Sequence, residues 1–179
     1  MTAEYGAYAL GPSIPTARSY TMIAIALILG FFFALTAETI PCGPFYALLH
    51  PDFVALLLLY WAISSSSELS LTIVWLIGLF QDMVLGDVLG AQAIAGVIMI
   101  YLLYTSLGRV RRLSSWEQLF FIFLLLLTHR LLVWLWQAWA GVITWHFSLL
   151  LGPLIGALLW PLFTLALDYL RHALRPRPT

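Results

Sequence analysis

The sequence predicts an all-α integral membrane protein with six transmembrane helices and both termini in the cytoplasm. Three observations predict it. Of the 179 residues, 63% are hydrophobic and only 9% are charged; long charge-free runs recur along the chain; and the arginines fall on one side of the resulting topology. Soluble domains carry about 25% charged residues. The chain therefore has too few polar side chains to cover a water-facing surface, which excludes a soluble globular domain.

The charge-free runs divide the chain into six predicted helices, because a bilayer core requires about 20 mostly apolar residues per helix. The first run lies between Arg18 and Glu38. It is expected to be a retained anchor, since Glu38 and Pro41 occupy the region where a signal peptide would be cleaved. The second run is short for a full span, and residues 45–51 before it are a candidate re-entrant or interfacial segment. The predicted ranges are about 20–38, 52–64, 66–85, 90–108, 115–139 and 147–170, between cytoplasmic tails at 1–19 and 171–179.

Local signals separate the later helices. Ser65 and Glu68 have the spacing of a capping box, which predicts the start of the third helix. Residues 86–90 contain the turn before the fourth. Between Leu131 and Leu167 no residue is charged, and this stretch is too long for one span, so residues 141–146 are predicted to divide the fifth helix from the sixth.

The arginines predict the orientation. With six crossings, the even-numbered side holds seven arginines and the opposite loops hold none, so the positive-inside rule places both termini in the cytoplasm. These seven are Arg18, Arg109, Arg111, Arg112, Arg171, Arg175 and Arg177. Lysine is absent, and eight acids balance eight arginines. The chain therefore has no general electrostatic attraction to nucleic acid, and no nucleic-acid partner is expected.

The sequence predicts no catalytic centre and no cofactor. The lone cysteine, Cys42, excludes an internal disulfide, and the four histidines fall in different elements, so the local ligand spacing of a metal site is missing. No glycine-rich phosphate loop, nucleophile elbow or paired-carboxylate spacing is present. A membrane protein without an enzymatic site is the expectation.

Two charges lie deep in the predicted helices. Asp82 is about 21 Å from the cytoplasmic start of the third helix, and Arg130 is about 22 Å from that of the fifth, at helical rise. A lone charge at the centre of the membrane costs about 3 kcal/mol on insertion scales, so such groups usually pair or face a wet interior. We therefore predict an intramembrane polar site in which Asp82 pairs with Arg130, near Gln81 and His129. In the alternative, each charge extends separately to the outer interface.

Small residues form a candidate helix-packing face. Gly152 and Gly156 in the sixth helix have the spacing that lets two helix backbones approach closely, and Ala93 with Gly96 gives the fourth helix a similar narrow face. Such a face fits either a partner's membrane helix or internal packing of the bundle.

Arg109, Arg111 and Arg112 form a predicted basic patch at the cytoplasmic surface. Topology alone accounts for their position. The patch also suits contact with membrane lipids that have anionic headgroups, which contributes about 1 kcal/mol per residue, or with a cytoplasmic partner.

The most distinctive stretch runs from Gly78 to Gly96, GLFQDMVLGDVLGAQAIAG. Gly78 and Asp82 share a helix face. Gly86 can end the helix in a left-handed conformation, Asp87 follows in the turn, and Gly90 lets the chain reverse tightly into the next helix.

This stretch is similar to the signature of the rod shape-determining protein MreD family. The matching residues are Gly78, Leu79, Asp82, Gly86, Leu89 and Gly90. The resemblance implies a non-enzymatic component of the bacterial cell-elongation complex in the cytoplasmic (inner) membrane, supporting rod shape and peptidoglycan synthesis. It implies direct binding to MreC, and links through the complex to MreB, RodA and a class B penicillin-binding protein.

The resemblance also implies a fold like that of the substrate-binding subunits of energy-coupling-factor transporters. An alternative function follows, a substrate-binding membrane subunit of a vitamin-type transporter with a ligand near Asp82 and Arg130. The two functions predict different co-purifying molecules. A scaffold should co-purify with a single-span coiled-coil protein, and a transporter subunit should retain a bound vitamin. A lipid-modifying enzyme is disfavoured because no nucleophile or metal site is recognisable.

Overall fold

The computed structural model of the chain describes residues 17–39, 51–64, 69–110, 112–142 and 148–173, with side chains for these ranges except at 17–27, 115, 148–149 and 170–173. Within the described ranges the secondary structure is entirely helical. The six helices are α1 (Ala17–Thr39), α2 (Phe53–Ser64), α3 (Leu71–Leu85), α4 (Ala91–Val110), α5 (Ser115–Trp139) and α6 (Ser148–Ala173).

Three helices are long and apolar enough to cross a membrane by length and composition, namely the segments Ala91–Val110, Trp116–Trp139 and Leu150–Tyr169. The shorter apolar helices are Ile28–Thr39, Phe53–Ser64 and Leu71–Leu85. Many large apolar side chains on the outer surfaces are exposed. Such a surface is unfavourable in water but suits a lipid environment.

The short helix α2 lies at the centre of the bundle. It packs against α1, α4 and α6, and its residues 54–62 are buried without interruption. A helix that is apolar on every face is expected to be buried on every face. At 12 residues it is only about 18 Å long. The segment predicted to be the weakest span is therefore the core helix of the bundle.

The other helices surround α2 in chain order. Helix α3 packs against α4, α4 against α5, and α5 against α6. The ring of Phe80 on α3 lies 5.9 Å from that of Phe31 on α1, centroid to centroid. Side chains from α3, α4, α5 and α6 share one buried core with α2. They include Val74, Met99, Ile100, Leu103, Ile122, Leu125, Leu126 and Trp160.

Helix α3 begins at Leu71 rather than at residue 66. Ser70 is its N-cap, with extended backbone angles. Leu69 precedes the helix, and its carbonyl accepts a hydrogen bond of 2.9 Å from the Tyr104 hydroxyl on α4. The predicted capping box of Ser65 and Glu68 lies outside the described residues, as do the proposed interfacial segment up to residue 50 and most of the 141–146 break.

A capping box does occur at the start of α5. The Glu117 carboxylate accepts hydrogen bonds from the backbone N–H of Ser114, at 2.8 Å, and from its hydroxyl, at 2.9 Å. Ser114 precedes the helix as N-cap. This arrangement satisfies a donor that a helix start otherwise leaves unpaired, and it fixes the turn between α4 and α5.

Candidate functional site

Helices α3 and α4 are in direct backbone contact at Gly78. A Cβ atom at this position would lie 2.4 Å from the Cα of Ala93 and 2.6 Å from its backbone nitrogen. Ala93 is itself completely buried. Because the obstructing atoms belong to backbone, no rotamer change can make room, and glycine is required here for the helices to meet this closely.

One turn after Gly78, Asp82 caps the start of α4. Its Oδ2 accepts the backbone N–H of Gly90 at 2.8 Å, and its Oδ1 accepts that of Gln92 at 2.9 Å. The side chain is fully buried. The first N–H groups of a helix lack partners within it and favour a negative charge. The contact at Gly78 therefore places a carboxylate where the next helix needs one.

The turn between α3 and α4, residues 86–90, uses both of its glycines. Gly86 ends α3 with φ 68°, and Gly90 precedes α4 with φ 93°, a left-handed region that glycine adopts without steric cost. Two side chains of α5 hold the turn from outside. Gln137 donates to the Asp87 carboxylate at 3.2 Å, and the Trp136 indole N–H donates to the Leu89 carbonyl at 3.3 Å.

A second carboxylate caps the start of α2. Glu38, near the end of α1, accepts the backbone N–H of Val54 at 3.0 Å through Oε1. Its Oε2 accepts a hydrogen bond of 2.9 Å from the side chain of Gln81 on α3. Glu38 thus caps α2 as Asp82 caps α4. The two caps are linked through α3, because Asp82 forms one of them and its neighbour in sequence, Gln81, bonds the carboxylate of the other.

An ion pair completes this end of the bundle. The Nη1 atom of Arg130 on α5 lies 3.2 Å from Oδ1 of Asp52, whose side chain is 11% exposed. The Nδ1 atom of His129 lies 3.7 Å from the other oxygen of Asp52, and this buried nitrogen has no hydrogen-bond partner within the described part of the chain. We call Glu38, Asp52, Gln81, His129 and Arg130 the polar cluster. It joins α1, α3 and α5 to the start of α2.

The predicted Asp82–Arg130 pair is replaced by a different arrangement. Arg130 is bonded to Asp52, while Asp82 is bonded to the backbone at the start of α4. Of the four residues predicted for the intramembrane polar site, Gln81, His129 and Arg130 belong to the polar cluster. Asp82 caps a helix instead, because it lies on the Gly78 face of α3 and that face contacts α4.

The sequence reasoning missed Glu38 and Asp52 as members of the cluster. They are the end residues of the predicted ranges 20–38 and 52–64, and the predicted polar site did not include them. A signal for them exists, because α2 is too short to reach a membrane surface at both ends, so its first N–H groups need acceptors inside the protein. Glu38 ends the first apolar run, and Asp52 stands just before the short second one. Both are therefore candidate acceptors for these N–H groups.

A double-mutant cycle distinguishes the observed pair from the predicted one. We expect Asp52→Asn and Arg130→Gln to show a coupling of about 1 kcal/mol in the free energy of unfolding, since groups in direct contact couple. Asp82→Asn combined with Arg130→Gln should be additive within about 0.5 kcal/mol, because the two have separate partners. Denaturant titration in mild detergent measures both. Coupling in the second cycle and additivity in the first would restore the predicted pair.

The small residues of the predicted packing face lie inside the bundle. Ala93 contacts Gly78, and a Cβ on Gly96 would touch Val74 at 3.4 Å. A Cβ on Gly156 would lie 3.0 Å from Leu126 of α5, and Gly152 is buried as well. Of the three arginines in the predicted basic patch, Arg109 and Arg112 are exposed at the end of α4, and Arg111 lies outside the described residues.

The geometry of the site is structural in character. Each of its two carboxylate caps joins a helix start to a different helix, and the polar cluster adds an ion pair at the start of α2. Among the described residues, no three His, Cys, Asp or Glu side chains are grouped so that they could hold a metal ion. The arrangement satisfies backbone groups that lipid cannot, and so fixes the relative positions of five helices, α1 to α5.

The family of the chain is shown by its similarity to known proteins. Residues 18–170 match the family described as rod shape-determining protein MreD. The chain belongs to the MreD family. The rod shape-determining protein MreD of Haemophilus influenzae is 30% identical over 149 residues, which cover 83% of this chain and 92% of that protein. No solved structure matches the chain.

Membership of this family supports a rod shape-determining role for the chain. The resemblance first noted in residues 78–90 is confirmed over most of the chain. The residues that carried it are those of the Gly78 contact, the Asp82 cap and the turn with its two left-handed glycines.

Proposed function

We propose that this chain is a six-span scaffold of the inner membrane that supports rod shape and peptidoglycan synthesis by binding MreC. Through the complex it would be linked to MreB, RodA and a class B penicillin-binding protein. The family match over residues 18–170 supports the proposal. The close backbone contact at Gly78 and the Asp82 cap agree with it, because a scaffold needs a fixed surface rather than a reactive group.

The six crossings are supported by the packing of the shorter helices. Helix α2 is covered by protein on all sides, so it does not need to match the hydrocarbon thickness that lipid imposes on an exposed span. Helix α1 has 23 residues and no charge between Arg18 and Glu38. The arginine distribution supports cytoplasmic termini, and we further propose the fold of energy-coupling-factor substrate-binding subunits for the bundle.

The family match does not favour the transporter alternative. In that alternative the polar cluster would hold a vitamin-sized ligand. The cluster instead consists largely of groups that bond one another and the start of α2, which suits a structural junction.

Complementation tests the proposal. We expect the full chain, produced with its MreC, to restore rod shape to a rod-shaped bacterium that lacks its own MreD and MreC, and tagged chain to co-purify MreC in mild detergent. Gly78→Val should lose both effects, and Gly108→Ala, a glycine with open space around it, should retain both. Rounded cells despite normal membrane levels of the chain would refute the shape function. A co-purified vitamin without MreC would favour the transporter.

A further inference from the structure

A groove opens on the surface where α4 turns into α5. It is lined by Arg109 and Leu113, which precede α5, and by five residues of α5, namely Trp116, Glu117, Phe120, Phe121 and Leu124. Its volume is about 500 Å³. We call it the arginine groove. It lies at the opposite end of α4 from the Asp82 cap and is distinct from the polar cluster.

The wall of the groove on α5 is apolar and exposed. Trp116 is 82% exposed and Phe120 is 62% exposed, and Leu124 continues the same helix face at four-residue spacing. The three side chains extend for about 12 Å along the helix. A tryptophan followed by apolar residues toward the bundle centre is the order expected from a membrane interface into the hydrocarbon region.

The lining of the groove holds one arginine and one glutamate, and a second arginine lies just beyond it. Arg109 lines the groove, and Arg112 is exposed in the same short turn, where its backbone N–H bonds the Arg109 carbonyl at 2.9 Å. Glu117 is directed to Ser114 by two hydrogen bonds. Among the described residues, the ion pairs are those of Asp52 with His129 and Arg130, and neither Arg109 nor Arg112 takes part in one.

From this combination we propose that the arginine groove binds one anionic phospholipid. Its phosphate would contact Arg109 and Arg112, and an acyl chain would lie along Trp116, Phe120 and Leu124. Guanidinium groups bind phosphate oxygens through paired hydrogen bonds. An apolar wall that starts beside two arginines matches a molecule with one anionic head and a long apolar tail. A zwitterionic lipid matches the wall equally well but not the two arginines.

The test is lipid titration of the delipidated full chain in mild detergent, with phosphatidylglycerol and phosphatidylcholine as probes and native mass spectrometry as readout. We expect one phosphatidylglycerol to bind at least about tenfold more tightly than phosphatidylcholine. Arg109→Gln with Arg112→Gln should reduce that preference to about unity. Arg175→Gln with Arg177→Gln removes the same charge from the C-terminal tail and should leave the preference unchanged. Trp116→Ala with Phe120→Ala should weaken both lipids.

Four outcomes would overturn the proposal. One is equal binding of the two lipids, which would mean a general lipid-facing surface. The second is full retention of the preference in the Arg109 and Arg112 variant, and the third is its equal loss in the tail variant. The fourth is competition by free glycerol phosphate as strong as that by the intact lipid, which would make the apolar wall irrelevant. The thermal unfolding midpoint without lipid checks that each variant is folded.

Discussion

Replacing Gly78 with alanine is expected to destabilise the folded chain by about 3 kcal/mol, at the upper end of the range for overpacking. The added Cβ would lie 2.4 Å from the Cα of Ala93 and 2.9 Å from the carbonyl carbon of Gln92. Since both are backbone atoms, relief requires that α3 and α4 move apart. That movement would lengthen the hydrogen bonds from Gly90 and Gln92 to Asp82, so one substitution weakens two features. Denaturant titration in mild detergent measures the change.

The matched control is Gly108→Ala near the other end of α4. A Cβ there would meet no atom of the described residues within 4 Å, and alanine is favoured over glycine in a helix by up to about 1 kcal/mol. This variant should therefore be as stable as the parent or slightly more stable. Equal stability of the Gly78 and Gly108 variants would contradict the close backbone approach of the two helices.

The sequence predicts the helical architecture of this protein because lipid limits the alternatives. A backbone in hydrocarbon must satisfy its own hydrogen bonds, so apolar runs bounded by charges predict helices, and the described ranges contain six. The start of α3 was harder to predict from the sequence. It is set by a tertiary contact, the hydrogen bond from Tyr104 to Leu69, that no local pattern encodes.

The partners of the buried charges could be predicted only in part. Counting residues along a helix gives the depth of Asp82 and Arg130, but it gives neither the direction in which each side chain points nor the neighbour it meets. The direction of Asp82 was encoded, since Gly78 marks its face as the one that contacts another helix. The partner of Arg130 was not encoded, because Asp52 approaches through the placement of the core helix α2.

The largest loss is expected from removal of the Asp82 carboxylate. Asp82→Ala leaves the backbone N–H groups of Gly90 and Gln92 without their acceptor inside the protein, and each such group costs about 1–3 kcal/mol when buried. We expect a loss of about 4 kcal/mol in the free energy of unfolding, together with loss of rod shape in the complementation assay. Asp82→Asn keeps one acceptor oxygen and should lose less, because one of the two N–H groups remains bonded.

Asp87→Ala is the control for the Asp82 variants, since it removes an acid from the same turn. Asp87 is partly exposed and bonds a side chain, Gln137, rather than the start of a helix, so about 1 kcal/mol or less should be lost. The order of stability should be parent, Asp87→Ala, Asp82→Asn, Asp82→Ala. Equal losses in all three variants, each of which removes one negative charge, would mean that the negative charge matters more than the cap. The predicted order would mean that the acid of this signature acts as a helix cap, so an acceptor of similar reach at position 82 should preserve the fold better than alanine does.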